Sequence, residues 1–173
     1  MKQLAHFDEK FTKRKSPIIL LLDNITGEAN LGSIFRLADA FNIEKIVFSG
    51  TAPNLESRRL QKTARNTHKT VPFEFIEDAL PFCEKLKKEH HLFALEITSE
   101  SIPLDKFEFS AEKKGVVLIL GNEVSGIQKE LLAISEQQLH INMFGKNSSM
   151  NVAQAAGIAL YEISKTIFAF AKK

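Results

Sequence analysis

Two uninterrupted apolar runs, IILLL at Ile18–Leu22 and VVLIL at Val116–Leu120, constrain the fold of this chain more than any other feature. A strand with one wet face alternates apolar and polar residues. An unbroken aliphatic run needs cover on both faces, as in a parallel sheet with helices on either side. Further strand candidates are Lys45–Phe48, Val71–Phe75, Leu92–Glu96 and Leu139–Met143. Helical stretches lie between them. In Leu31–Phe41 the apolar positions Leu31, Ile34, Phe35, Ala38 and Phe41 recur at helical spacing, with Asn30 where an N-cap is expected. Leu55–Ala64 and Glu77–Lys88 are read as two more helices, and Asn151–Phe170 as the last. The stripe of that last helix is Val152, Ala156, Ala159, Ile163, Ile167 and Phe170, and small residues (Ala153, Ala155, Ala156, Gly157, Ala159) crowd its first half. They serve either close packing on the sheet or a helix contact between two copies. Strands alternating with helices predict an α/β fold, a mostly parallel sheet flanked by helices, formed as one domain over residues 1–173.

Several function classes drop out early. The one cysteine, Cys83, permits no intrachain disulfide and favours a reducing, cytoplasmic setting. The first 15 residues form a short basic extension (Lys10, Lys13, Arg14, Lys15) without an apolar core, so they are not read as a secretory signal. The longest apolar run, Ile18–Leu22, is too short to span a bilayer. His6, His68, His90, His91 and His140 lack metalloprotease spacing, and one thiol cannot build a zinc site, so no metal is expected. His90 and His91 are assigned to the surface. No glycine-rich dinucleotide fingerprint follows a strand, and no P-loop is present.

In open α/β sheets ligands bind outside the carboxyl ends of the strands. Three post-strand segments, Asp23–Arg36, Gly121–Ile127 and Phe144–Asn151, hold five of the eight glycines and much of the uncharged polar content. If the strands are parallel, these segments meet at one edge and form a composite site. Arg36 is placed opposite the apolar stripe of the first helix and near its N-terminal end, where guanidinium and helix together suit a phosphate. Glu123 is either a loop-organising acceptor or a functional acid, and Ser149 and Asn151 are candidate caps of the last helix. The segment Ser57–Lys69 carries Arg58, Arg59, Lys62, Arg65 and Lys69 and no acid. If it is helical throughout, Arg58, Lys62, Arg65 and Lys69 share one face, a polyanion patch that the basic N-terminal residues extend.

The three segments also carry a resemblance. Asn24-x5-Asn30-x-Gly32-x3-Arg36-x-Ala38 resembles the first motif of the SpoU (TrmH-like) branch of the SPOUT methyltransferases. Ile119-Leu120-Gly121-Asn122-Glu123-x2-Gly126-Ile127 is similar to the second. Ile141-x-Met143-x-Gly145-x3-Ser149-Met150-Asn151-Val152-Ala153-x-Ala155, ending in Leu160-Tyr161-Glu162, resembles the third. Asn142 stands where the family usually has Pro, and Met150 where Leu is common. The resemblance implies a C-terminal deep trefoil knot, a homodimer, and S-adenosylmethionine-dependent 2′-O-methylation of a ribose in structured RNA. It implies that the cofactor is held by Leu95, Glu96, Gly121, Asn122, Ile141, Met143 and Met150. Arg36 would engage the ribose and phosphate, with Asn30, Glu123, Ser149 and Asn151 shaping the site. The compact form leans toward transfer RNA over ribosomal RNA. Alternatives are a non-catalytic RNA-binding module of the same fold, against which the intact Arg36, Glu123, Ser149 and Asn151 argue, and a nucleotide-cofactor oxidoreductase, against which the missing fingerprint argues.

The basic segment yields a direct expectation. Replacing Arg58, Arg59 and Lys62 together by Glu weakens RNA binding at low salt by more than tenfold, because each lost phosphate contact removes counterion release. Unchanged affinity in a filter-binding titration contradicts this.

Overall fold

The computed structural model of the chain describes residues 13–170. Lys10 and the rest of the first twelve residues therefore lie outside the described residues. Seven strands are present: β1 (Ser16–Asp23), β2 (Ile43–Ser49), β3 (Phe73–Ile76), β4 (His90–Leu95), β5 (Ile102–Pro103), β6 (Gly115–Gly121) and β7 (Gln137–His140). They form one sheet in the order β3-β2-β1-β6-β4-β7-β5. Every pairing in it is parallel. The helices are α1 (Glu28–Ala40), α2 (Arg58–Ala64), α3 (Ala79–Leu86), α4 (Lys129–Ile134) and α5 (Val152–Phe170).

The two apolar runs become the central pair, β1 beside β6, in register from Ile18 opposite Val116 to Asp23 opposite Gly121. Their side chains alternate between two cores. Ile18, Leu20, Leu22, Val116, Leu118 and Leu120 join the face covered by α1, α2 and α5. Ile19, Leu21, Val117 and Ile119 join the face covered by α3 and α4. Each of these buried side chains contributes about 1.5–3 kcal/mol relative to exposure. A polar residue anywhere in either run would be placed in one of the cores, which is why the runs are unbroken.

The small residues of α5 face inward. Ala153, Ala156 and Ala159 are buried in the α1-side core, and Gly157 meets Leu37 of α1. Of the two readings of that stripe, the close packing is used within the chain. Helix α5 turns Ile158 and Tyr161 outward instead, at 44% and 62% exposure.

Several local expectations are corrected. Helix α1 begins at Glu28, after Gly27, so Asn30 sits in its first turn and is not the cap. Arg36 consequently lies eight residues into the helix, about 12 Å along its axis, away from the positive end. The basic segment is not one helix. Helix α2, capped by Ser57, ends at Ala64; Arg65 and Asn66 then adopt positive φ before a 3₁₀ turn at Thr67–Lys69. The shared face reduces to Arg58 and Lys62, although all five basic side chains are exposed. His90 and His91 are buried, at 8% and 2% exposure, and not on the surface. His91 is kept polar-satisfied by the Glu136 carboxylate, 3.0 Å from Nδ1. Strand β7 stops at His140, because the residues expected to extend it turn away as a loop. Strand β5, two residues long, and α4, six residues without a side-chain cap, are too short to leave a periodic signal.

Helix α1 crosses α2 at Gly32, where an added Cβ would stand 2.6 Å from the Leu60 carbonyl oxygen. Alanine gains about 1 kcal/mol of helix propensity over glycine. Forcing a methyl group against backbone costs about 1–3 kcal/mol, and the obstacle here cannot rotate away. Gly32→Ala is therefore expected to lower stability by up to about 2 kcal/mol, read as a lower urea midpoint. A midpoint raised above wild type would contradict this close crossing.

A composite cavity at the carboxyl end of the sheet

Because all strands run the same way, the segments that follow β4, β6 and β7 emerge at one edge. Together they enclose a cavity of about 540 Å³, within the range of cofactor and small-ligand sites. Leu95, Glu96, Gly121, Asn122, Ile141, Met143 and Met150, the residues the resemblance singles out for the cofactor, all stand in its wall. Glu123, Ser149 and Asn151 line it too. Ile141 and Met143 reach it as loop residues, a consequence of the early end of β7. Leu120, Leu139, Val152 and Ala155 give it an apolar part, and Glu96, Asn122, Glu123, His140, Ser149 and Asn151 supply its polar groups.

The loop after β6 is a tight turn made by its own sequence. Asn122 accepts from the amides of Val124 (2.9 Å) and Ser125 (3.2 Å) through Oδ1, and its Nδ2 donates to the Asn24 carbonyl (2.8 Å). Gly126 closes the turn with φ +69°, the left-handed region that costs glycine nothing. Two carboxylates clip the turn to the sheet. Glu96 Oε2 accepts from the Ile127 amide (3.2 Å), and Asp23 accepts from the Gln128 amide (2.9 Å) and from Gln128 Nε2 (2.6 Å). Asp23 is 1% exposed, and Asn24 Nδ2 donates to it as well. A buried carboxylate at the end of a central strand is tolerable only with such partners. An added Cβ on Gly121 would stand 2.4 Å from the Gly126 carbonyl carbon, so the two glycines are needed for the turn to lie flat on its strand.

Three motif residues from three distant segments are joined in one chain of hydrogen bonds. Asn30 Nδ2 donates to Glu123 Oε1, and Asn151 Nδ2 donates to Asn30 Oδ1 (2.8 Å). Asn151 Oδ1 in turn accepts from the Ala153 amide (3.0 Å), so this residue caps α5 while reaching across to α1. The displacement of Asn30 from the cap position is what frees its amide for this link. Glu123 Oε2 has no partner among the described residues. Ser149 is exposed in the wall. Arg36 is not part of the wall. It follows Gly32 by one turn, on the side of α1 that meets α2, and its side chain is exposed. The basic residues of α2 and the following turn stand on the neighbouring helix.

Sequence reasoning did not anticipate Asp23 and Gln128 as the clip, nor His140 as a wall residue. Asp23 could have been found, since a carboxylate directly after a five-residue aliphatic run needs a reason to be there. Gln128 carried no such signal. Cys83 is no nucleophile: burial first, then the charges of Asp23 and Glu84, push its thiol up to about 12. Among the described residues no three His, Cys, Asp or Glu side chains gather as a metal site would require, and no helix is long and apolar enough to cross a membrane.

Comparison with known proteins matches this arrangement to a family. The model of the SpoU rRNA Methylase family matches residues 17–161. The chain is 27% identical over 165 residues to the tRNA (guanosine(18)-2′-O)-methyltransferase of Aquifex aeolicus, covering 95% of this chain and 76% of that one. It is 29% identical over 147 residues to the 23S rRNA (guanosine(2553)-2′-O)-methyltransferase RlmP of Bacillus subtilis, covering 84% of this chain and 57% of that one. A solved structure described as giving insight into 2-OH methylation of C/U34 on tRNA superposes with a TM-score of 0.77 at 25% identity, covering 89% of this chain and 98% of that one. With the family match spanning most of its length and the three motifs gathered at one cavity, the chain belongs to the SpoU rRNA Methylase family.

Proposed function

We propose that this chain is an S-adenosylmethionine-dependent methyltransferase acting on the 2′-hydroxyl of a ribose in RNA, in the cytoplasm and as a homodimer. The observation that carries the reading is the bonded set Asn30–Glu123–Asn151 at the mouth of a cavity of cofactor size. The walls suit the proposed cofactor: aliphatic and thioether side chains for a planar base, loop backbone for its polar edges, and a carboxylate oxygen at one side. When bound, the cofactor supplies an activated methyl group on a sulfonium. The chain's own task is to position the ribose and manage charge at its oxygen. Glu123, fixed through Oε1, lines the cavity. Asn30 and Asn151 hold it there. To Arg36, exposed on α1 outside the wall, we assign the contact with ribose and phosphate and the stabilisation of the oxygen as its proton leaves.

The basic surface of α2 and the 3₁₀ turn provides an RNA track beside Arg36. We take transfer RNA as the preferred substrate over ribosomal RNA, supported by the likeness, over 95% of this chain, to the tRNA (guanosine(18)-2′-O)-methyltransferase of Aquifex aeolicus. Outward-facing Ile158 and Tyr161, one turn apart on α5, supply apolar area for the second subunit. We also propose the C-terminal trefoil knot that the family resemblance implies.

Arg36→Ala is expected to keep S-adenosylmethionine binding, measured by calorimetry, and to lose about 100-fold or more in methyl transfer to RNA, read as alkali-resistant labelled dinucleotides. Full transfer activity in this variant rules out the role given to Arg36. Absence of transfer by the wild-type protein to either RNA class rules out the function.

A further inference from the structure

Among the described residues seven large apolar side chains are exposed, and three of them lie on the loops that supply the cavity wall. Ile97, Val124 and Phe144 come from the loops after β4, β6 and β7 respectively, at 57%, 96% and 97% exposure. Single exposed apolar residues need no explanation; three on the separate loops that rim one cavity do. Their positions divide them. Ile97 and Val124 stand in the cavity wall itself, where a cofactor covers them. Phe144 does not. It follows the wall residue Met143 in sequence and is followed by Gly145, Lys146, Asn147 and Ser148, all exposed. An added Cβ on Gly145, the next residue, would meet nothing within 4 Å, so this part of the loop is open to solvent.

The other exposed aromatics are elsewhere. Phe73 and Phe75 lie on β3, at the far edge of the sheet, and Tyr161 lies along α5. Phe144 is thus the one solvated aromatic ring, among the described residues, set next to the site. RNA presents two kinds of surface to such a ring, and only the base has a face to stack on it. Sequence-tolerant stacking of unpaired bases on aromatic side chains is a general mode of single-strand recognition. Lys146, exposed two residues later, stands ready for the adjoining phosphate.

We propose that Phe144 is a specificity-determining residue that stacks on the base of an unpaired nucleotide at the cavity mouth, holding the attached ribose against Glu123 and Ser149. The proposal rests on the methyltransferase reading and sharpens it: the substrate is a nucleotide in a loop or an unpaired stretch, recognised by its aromatic face.

The test compares wild type, Phe144→Ala and Phe144→Trp in steady-state transfer of labelled methyl groups from S-adenosylmethionine to unfractionated RNA from a strain lacking the gene. Calorimetry with S-adenosylmethionine and the native mass of each protein accompany it. Phe144→Ala is expected to raise KM for RNA by about 5- to 150-fold, the range of base–aromatic stacking. Its S-adenosylmethionine affinity and its mass stay unchanged, and Phe144→Trp restores KM. An active Phe144→Ala protein with the wild-type KM overturns the proposal and leaves the methyltransferase reading standing. So does a changed mass, which would make Phe144 a contact between subunits. If the wild-type protein transfers no methyl group, both readings fall together.

Discussion

The parallel pairing of β1 with β6 is the constraint on which the rest of the structure depends. These strands are nearly a hundred residues apart in sequence, and each is buried on both faces. Burial on both faces demands helices on both sides, and parallel strands demand crossovers long enough to supply them. The pairing register also sets the site. It puts Asp23, the last residue of β1, directly opposite Gly121, the last residue of β6. From there the Asp23 carboxylate reaches Gln128 and draws the loop after β6 down onto the sheet edge. A shift of one residue would exchange the two cores and send Asp23 to the wrong side of the strand.

The cavity follows from that arrangement. Its wall mixes aliphatic and thioether side chains with polar residues, and two of these, Glu123 and Asn151, are joined through Asn30. Asn151 illustrates the economy of the arrangement: one oxygen caps α5 while the nitrogen fixes Asn30, which fixes Glu123. Helix termination, loop placement and the orientation of the proposed reacting groups are therefore coupled. A change at any of the three residues is felt at the other two, so their effects are not additive.

Much of this was legible in the residues. The unbroken aliphatic runs pointed to the parallel sheet, because a strand covered by helices on both faces accommodates them and they alternate with helical stretches. The three polar segments after strands gave the location of the site, because parallel strands put their carboxyl ends together. What was not legible depended on contacts between distant segments. Asn30 looked like a cap from its neighbours alone; its amide serves Glu123 and Asn151, 93 and 121 residues away. The basic residues at steps of four, three and four looked like a helical face, but the left-handed Arg65 and Asn66 end the helix among them. His91 looked exposed at the start of a strand, and its burial is made tolerable by Glu136, forty-five residues on, which pairs with it. Strand β5 exists only because β7 offers an edge to two residues that have no strand signal of their own.

The central claim is that this cavity performs ribose methylation on RNA in the cell. It is tested most directly by nucleoside mass spectrometry of digested transfer and ribosomal RNA from a strain lacking the gene and from the same strain with the gene restored. The account predicts that one 2′-O-methylnucleoside disappears from one RNA class and returns on restoration. An unchanged set of 2′-O-methylnucleosides in both classes would contradict it.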